Sequence, residues 1–183
     1  SCLLHCESPY HTYSYNDLYN LTLNFRRDES SKFGPGNKVG YFPSVSASWN
    51  IANESFMKVE QLNILKVRAS YGKVGSANTA DFAYLQFFGT NSSTKYGGNT
   101  AITPFNILPN NNIAWETTKE FNLGLDFKAF SHRLYGSIDA YSRKTTGALA
   151  PTPIPFELGP LTYFSNLMDV SNKGIEINIG GDL

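Results

Sequence analysis

Strict alternation of side-chain character between Val39 and Ile51 constrains the fold of this chain more than any other feature. Successive side chains of a β-strand point to opposite faces, so such alternation separates two faces. The odd positions are mostly apolar: Val39, Tyr41, Pro43, Val45, Ala47, Trp49 and Ile51. The even positions are small or polar apart from one phenylalanine: Gly40, Phe42, Ser44, Ser46, Ser48 and Asn50. The stretch therefore predicts a strand with one apolar and one polar face.

The spacing of two aromatic residues on the apolar face indicates what that face contacts. Tyr41 and Trp49 are eight residues apart, which corresponds to about 26 Å along a strand at ~3.3 Å per residue. With a strand tilt of ~40°, the separation along a membrane normal is roughly 20 Å, close to the apolar band between two aromatic girdles. The stretch is typical of a transmembrane β-strand.

The same alternation recurs along the chain and predicts an all-β, antiparallel transmembrane β-barrel segment of about six strands. The predicted windows are residues 13–27, 38–51, 64–74, 114–128, 133–146 and 172–180. They are longer than the ~5–6 residues of ordinary globular strands. Pro43 predicts a bulge, because proline removes a hydrogen-bond donor from a paired strand. Lys119 falls on the apolar face, which is tolerable near outer headgroups, where a lipid-facing cation costs little.

Connections between the windows alternate between long and short, as expected when outer loops are long and periplasmic turns short. Residues 27–37, 75–113 and 146–171 are expected on the extracellular side, and residues 52–63 and 129–133 on the periplasmic side. Within the second segment, residues 82–88 are open to interpretation as a short strand or an apolar loop cluster.

Composition excludes several classes of protein. Lysine plus arginine and aspartate plus glutamate are fifteen each, so net charge gives no reason to expect a nucleic-acid partner. No stretch approaches the ~20 apolar residues that a spanning helix needs. Cys2, His5 and Cys6 are possible metal ligands, but a tetrahedral site needs a fourth ligand and a partner pair elsewhere, and His11 is the only nearby candidate. Neither a metal nor another cofactor is therefore expected. Residues 1–12 are interpreted as a ragged or non-native segment, and residues 13–183 as a partial barrel domain.

Acidic residues on the polar face of one strand do not form a catalytic pair. Glu116 and Glu120 are about 13 Å apart along a strand, whereas glycosidase carboxylates are roughly 5–9.5 Å apart. With Asp126, they fit a polar lumen wall better, and we expect no enzyme activity.

Four stretches resemble one known family. FRRDESSKFGPGNKVGYFPSVSASWNIANESF, LKVRASYGKVG, IAWETTKEFNLGLDFKAFSHRLYGSIDAYSRKTT and VSNKGIEINI are similar, in this order, to the barrel of SusC/RagA-type TonB-dependent transporters. The resemblance implies a 22-stranded barrel with an internal plug in a bacterial outer membrane, importing glycans or peptides. It also implies a SusD-like surface lipoprotein partner and energy from TonB. With about six strands and no plug, the chain is interpreted as an internal fragment, inactive alone.

The resemblance and the alternation together predict candidate site residues. The lumen-facing candidates are Arg26, Arg68, Asn122 and Asp139. The candidate ligand contacts are loop aromatics that stack on sugar rings, anchor the lid or simply pack within the loops: Tyr84, Phe87, Phe88, Tyr96 and Tyr163. Outer-membrane lipid is expected against an apolar set comprising Leu21, Val45, Trp49, Val67, Leu123, Leu125, Ile138 and Ile177.

Two other classes of protein remain open. One is a soluble β-rich carbohydrate-binding module with exposed tyrosines as stacking platforms, and the other is a secreted β-sheet hydrolase. Either would need a second sheet to cover the apolar face, whereas a barrel leaves that face to lipid.

Overall fold

A computed structural model describes residues 4–57, 59, 61–104, 107–131, 133–155, 157 and 162–181. Within them the chain forms eleven strands and, between the fourth and fifth of these, a 3-10 turn at Ile51–Asn53. The strands are β1 Leu4–Glu7, β2 Tyr10–Tyr15, β3 Tyr19–Ser30, β4 Val39–Asn50, β5 Leu62–Ser76, β6 Phe88–Tyr96, β7 Asn99–Pro104, β8 Ile107–Leu108, β9 Glu116–Ala129, β10 Leu134–Pro153 and β11 Thr162–Gly181.

Six long strands form the body of one sheet, in the order β3-β4-β5-β9-β10-β11. β1 and β2 both pair with β3, while β6 and β7 form a separate hairpin. Every pairing is antiparallel except a two-residue parallel contact between β8 and β11. The predicted all-β, antiparallel fold is confirmed. Leu4–Glu7 pairs with the end of β3, and the division of the chain at residues 12 and 13 stays a prediction.

The predicted single strand over residues 13–27 is wrong, because the chain reverses inside that window. Asn16 and Asp17 adopt positive φ angles of 48° and 54°, and the Leu18 N–H donates to the Tyr15 carbonyl at 3.0 Å. Asparagine and aspartate tolerate this conformation better than most residues, and such turns match the twist of a hairpin. The alternation in this window breaks once, at Asp17 and Leu18, and this break corresponds to the turn between β2 and β3.

The predicted loop over residues 146–171 is also wrong, since β10 and β11 extend into it as a two-stranded ribbon. β9 pairs with β10 only as far as Thr146, and beyond it β10 pairs with β11 alone. Pro151 and Pro153 lie in this part of β10, where one edge of the strand pairs with none of the described strands and proline is tolerated. Because of these prolines, the sequence predicted a loop where the strand in fact continues.

Pro43 needs no bulge, contrary to prediction. The register between β3 and β4 runs without a shift through the pair Phe25 and Pro43. The Phe25 N–H donates to the Pro9 carbonyl at 3.1 Å, so this pair is not hydrogen-bonded and the Pro43 nitrogen faces β5. Pairing with β5 begins only at Ser44. The missing N–H therefore costs no ladder hydrogen bond.

The sheet separates apolar from polar side chains in rows that cross all six long strands. One row is entirely apolar and runs through Leu21, Ala47, Ala69, Leu123, Ala140 and Ile175. The adjacent row points to the other face and consists of Asn20, Ser48, Arg68, Gly124, Asp139 and Glu176. Alternation along single strands thus becomes two continuous surfaces, called here the apolar face and the polar face.

Aromatic pairs mark both ends of the apolar face. Tyr19 and Trp49 stack with ring centroids 6.1 Å apart near one end, and Phe25 and Tyr41 stack at 5.9 Å towards the other. The Tyr19 hydroxyl and the Trp49 indole N–H donate to Glu54 Oε1 at 2.6 and 2.9 Å. These two bonds hold the pKa of the Glu54 carboxyl below its usual range. The arrangement fits the two aromatic girdles of a membrane barrel.

A buried aromatic cluster fills the place where β4 separates from β5. The Phe42 ring lies edge-on to Trp115, with centroids 5.5 Å apart, and Trp115 contacts the buried ring of Phe33 at 4.9 Å. The Phe42 ring occupies the space in which a β-carbon at Gly75 would lie, and it approaches Gly40 from the other side. Only glycine leaves room for this ring.

We expect Gly75→Ala to destabilise the protein by about 1–3 kcal/mol, the usual cost of overpacking a filled site. The midpoint of urea unfolding, followed by tryptophan fluorescence, measures the change. In a Phe42→Ala background the same substitution should cost less than half as much, because the ring that it meets is gone. An equal cost in both backgrounds would show that Phe42 does not cause the effect.

Candidate functional site: a polar wall and its loop cluster

An ion cluster spans three strands of the polar face. The Arg68 guanidinium donates to Asp126 through Nε at 2.7 Å and Nη2 at 2.9 Å, and Nη2 also reaches Asp139 Oδ1 at 3.1 Å. Gly124 lies between Arg68 and Asp139 in the register. A β-carbon at Gly124 would approach Asp139 Oδ1 to 2.5 Å. Because Gly124 has no side chain, the Arg68 guanidinium can reach Asp139 across β9.

Acidic residues of this wall are held by arginines. Besides the Arg68 cluster, Arg143 Nη2 lies 2.9 Å from Glu120 Oε2 on the neighbouring strand. All these groups are partly solvated, so each pair contributes at most about 1 kcal/mol. Two of the three carboxylates considered above for catalysis, Glu120 and Asp126, are thus in ion pairs. The wall is hydrophilic, and its arginines offset part of its negative charge.

The structure brings three of the four lumen-facing candidates together. Arg68 and Asp139 share the ion cluster, and Asn122 lines the same polar depression as Arg68, with Ser46 and Ser70. Arg26 is placed elsewhere, nearer the end of the sheet. Its Nε lies 3.1 Å from Asp28, and its guanidinium lies 5.3 Å from the centre of the Phe42 ring.

Three connections gather at one end of the sheet and are tied together by asparagines. Asn166 on the β10–β11 ribbon accepts a bond from the Ala114 N–H at 3.0 Å. Its amide donates to the carbonyls of Ala114 at 2.9 Å and Gly147 at 2.6 Å. Asn110, which is buried, donates to the Phe164 carbonyl at 2.7 Å. The long connection between β5 and β9 is therefore fastened to the ribbon.

The connection between β3 and β4 joins the same cluster. Lys32 Nζ donates to the Thr79 carbonyl at 2.9 Å and lies 3.6 Å from Asp81. The Trp115 indole N–H donates to the Lys38 carbonyl at 3.2 Å. Residues 31–38, residues 77–115 and the ribbon are called here the loop cluster. Sequence reasoning grouped these segments on one side but missed Asn110, Asn166 and Trp115 as the residues that join them, because lone asparagines in polar segments carry no periodic signal.

The aromatic ligand-contact candidates are distributed over two parts of the loop cluster. Tyr84 is half-buried, and its side chain contacts Gly34. Phe87 and Phe88 are both exposed where β6 begins. Tyr163 is half-buried in the ribbon opposite Thr152. The Tyr96 side chain lies outside the described part of the structure. The interpretation of residues 82–88 as a loop holds up to Phe87, and β6 begins at Phe88.

In the described ranges, no group of three or more histidine, cysteine, aspartate or glutamate side chains is arranged to hold a metal ion. Cys6 is exposed, His5 lies 3.3 Å from Glu7, and Cys2 lies outside these ranges. No helix among the described residues is both long enough and apolar enough to cross a membrane.

The TonB dependent receptor-like β-barrel family matches residues 11–183. This chain belongs to that family. Its sheet is part of a β-barrel of the outer membrane, as the resemblance noted above implies. Members of the family are receptors and transporters rather than a class of enzymes.

Curated relatives agree with this assignment. TonB-dependent receptor P39 of Formosa agariphila is 36% identical over 168 residues, which cover 91% of this chain and 16% of that receptor. TonB-dependent receptor SusC of Bacteroides thetaiotaomicron is 35% identical over 173 residues, covering 91% of this chain and 17% of SusC. The chain thus spans about a sixth of the length of these relatives.

Solved structures show the same fold at lower sequence identity. The RagAB peptide importer in its closed-closed state matches with a TM-score of 0.91 at 24% identity, covering 98% of this chain and 20% of the matched chain. The siderophore receptor PirA from Pseudomonas aeruginosa matches with a TM-score of 0.64 at 14% identity, covering 97% of this chain and 31% of the receptor.

We expect Asn166→Ala to loosen the connection between β5 and β9. Two of the three Asn166 hydrogen bonds, at ~0.5–1.5 kcal/mol each, hold that segment at Ala114, so its cleavage by protease should be about tenfold faster. Limited proteolysis followed by mass spectrometry of the cut sites provides the measurement. Asn172→Ala is the matched control, because Asn172 is an exposed asparagine on the same strand. Equal cleavage of both variants would contradict the role given to Asn166.

Proposed function

We propose that this chain forms part of the wall and outer rim of a TonB-dependent transporter that imports glycans or peptides. The observation that carries the proposal is the pair of adjacent rows across six strands, one apolar and one polar, within a barrel of this family. Such rows suit a wall between lipid and a wet interior. The choice of cargo class draws on the relatives, one of which is SusC and another a peptide importer.

In this proposal the polar face is the lumen wall, lined by Arg68, Asn122 and Asp139, with Arg26 nearer the rim. A charge facing lipid at the midplane of the membrane costs ~2–4 kcal/mol. The Arg68 cluster would be expensive there, whereas a wet lumen accepts it. Apolar side chains of this face are exposed, among them Leu123, Ile175 and Ile177, which disfavours the soluble carbohydrate-binding module.

Cysteine labelling tests which of the two faces contacts lipid and which contacts water. In the intact parent protein, Asn122→Cys should react readily with a water-soluble maleimide, while Leu123→Cys should be protected by lipid. The two positions are adjacent on β9 and differ only in the face that they present. Faster reaction at Leu123→Cys than at Asn122→Cys would show that the facing is inverted.

The loop cluster is proposed to face the cell exterior, where it contacts cargo and a SusD-like lipoprotein. The short turn after β9 and the segment after β4 then face the periplasm, on the side from which TonB acts. Support comes from topology, since the β5–β9 connection and the β10–β11 ribbon, which extend furthest from the sheet, share one end of it. The hydrogen bonds of Asn110 and Asn166 hold this surface together and favour one arrangement of its aromatic side chains.

Transport needs the rest of the barrel. Along β11, pairing in the described structure involves β10 and, at Thr162 and Tyr163 only, β8. Backbone groups along an open edge cannot be satisfied by lipid. The chain by itself is therefore proposed to be inactive, and its function belongs to the longer receptor.

Energy-dependent uptake by whole cells tests the proposal, with an oligosaccharide and a peptide library as alternative cargo. Phe88 is 63% exposed in the loop cluster, and we expect Phe88→Ala to weaken uptake or binding by about tenfold, the value of one lost stacking contact at ~1–1.5 kcal/mol. Phe130→Ala is the matched control, because Phe130 is 57% exposed at the opposite end of the sheet. Uptake that is independent of TonB, or equal loss in both variants, would contradict the proposal.

A further inference from the structure

A row of lysines crosses the apolar face near the loop cluster. The register aligns Lys73 on β5, Lys119 on β9 and Lys144 on β10 as direct neighbours. Lys173 on β11 belongs to the next row, opposite Ser142. The sequence alone shows Lys119 as a charged residue among the apolar positions of its strand. Only the pairing of the strands shows that other lysines lie beside it. Lys119, Lys144 and Lys173, with Lys73 at their edge, are called here the lysine row.

Protein side chains neutralise little of this charge. Lys144 Nζ lies 3.4 Å from Asp169, but both side chains are more than half exposed, at 59% and 55%. The Lys73 ammonium lies 5.7 Å from the centre of the Phe42 ring, which is a weak partner. Lys119 and Lys173 are exposed and have no carboxylate partner in the described part of the chain. Like charges directly opposite each other destabilise a sheet, so an external anion would stabilise this arrangement.

The surroundings indicate where such an anion would come from. The row that contains Lys173 also contains Tyr71 and Phe121, which are 49% and 48% exposed. The following rows on the same face carry no charge and include Leu123, Leu125, Ile138, Ile175 and Ile177. Basic groups therefore lie at one boundary of an apolar surface. Lysine at such a boundary keeps its stem on apolar surface and its ammonium in the polar layer.

We propose that the lysine row binds the phosphate groups of an anionic lipid in the outer leaflet, with the acyl chains lying on the aromatic and aliphatic rows beside it. The ammonium groups act as point charges towards phosphate oxygens. A membrane lipid fits better than free phosphate because the charge adjoins exposed apolar side chains. The inference rests on the outward direction of the apolar face proposed above.

Native mass spectrometry of the intact receptor in neutral detergent tests the proposal. The probes are a phosphatidic acid, the diacylglycerol with the same acyl chains, and inorganic phosphate. The test variant carries Lys119→Gln, Lys144→Gln and Lys173→Gln, and leaves Lys73 in place because it contacts the packed Phe42 ring. The matched control is Lys128→Gln, an exposed lysine at the other end of β9 and of opposite parity to Lys119.

We expect the receptor to bind phosphatidic acid much more tightly than diacylglycerol. The triple variant should lose about 100-fold of that affinity, at about fivefold per lysine near a membrane surface, while Lys128→Gln changes it less than twofold. Equal binding of the two lipids, an unchanged triple variant, or equal loss in the control overturns the proposal. If millimolar inorganic phosphate displaces the lipid, the lysine row binds free phosphate rather than a membrane lipid, and the proposal is wrong.

Further measurements distinguish failure of the lipid proposal from failure of the proposed function. If the triple variant does not assemble, Lys119→Gln alone should lose about fivefold in affinity, and no loss contradicts the proposal. Cysteine labelling and cargo uptake are independent of lipid affinity. A receptor that fails in transport can therefore still bind the lipid, and a transporter with unchanged uptake can fail to bind it.

Discussion

Backbone hydrogen bonding across six adjacent strands is the interaction on which the rest of this structure depends. A bilayer offers no partners to N–H and C=O groups, so a spanning sheet must satisfy them between its strands. Because the register continues from β3 to β11 with few shifts, side chains of one character line up in rows. Leu21 to Ile175 and Asn20 to Glu176 are two such rows. Both surfaces of the wall follow from that ladder.

The same ladder explains how the end of the sheet is organised. Where β4 separates from β5, Phe42 and Trp115 fill the space, and glycines at positions 40 and 75 admit the ring. Just before β9 begins, Asn166 and Asn110 use side-chain amides to bond backbone groups of Ala114, Gly147 and Phe164. The loop cluster is therefore a continuation of the wall, fixed at the points at which strand pairing stops.

The two faces differ in whether their charged side chains have partners of opposite charge. On the polar face Arg68 is surrounded by Asp126 and Asp139, and Gly124 leaves space between them. On the apolar face Lys119 and Lys173 have no such neighbours among the described residues. Paired charges of this kind fit the wet lumen wall proposed above. An unbalanced row at the edge of an apolar surface suits a membrane that carries phosphate.

The sequence by itself determined the strand class, the two faces and the grouping of three connections at one end of the sheet, because alternation and turn residues are local properties. Only the tertiary structure decided what depends on neighbouring strands. The turn at Asn16 and Asp17 looked like a flaw in one strand, and the prolines at 151 and 153 looked like a loop. Pro43 seemed to require a bulge until the limits of its pairing with β5 were known. The Arg68 cluster, the Asn166 tie and the lysine row each join residues that are distant in sequence. Their alignment follows from the register between paired strands, which the sequence of one strand does not specify.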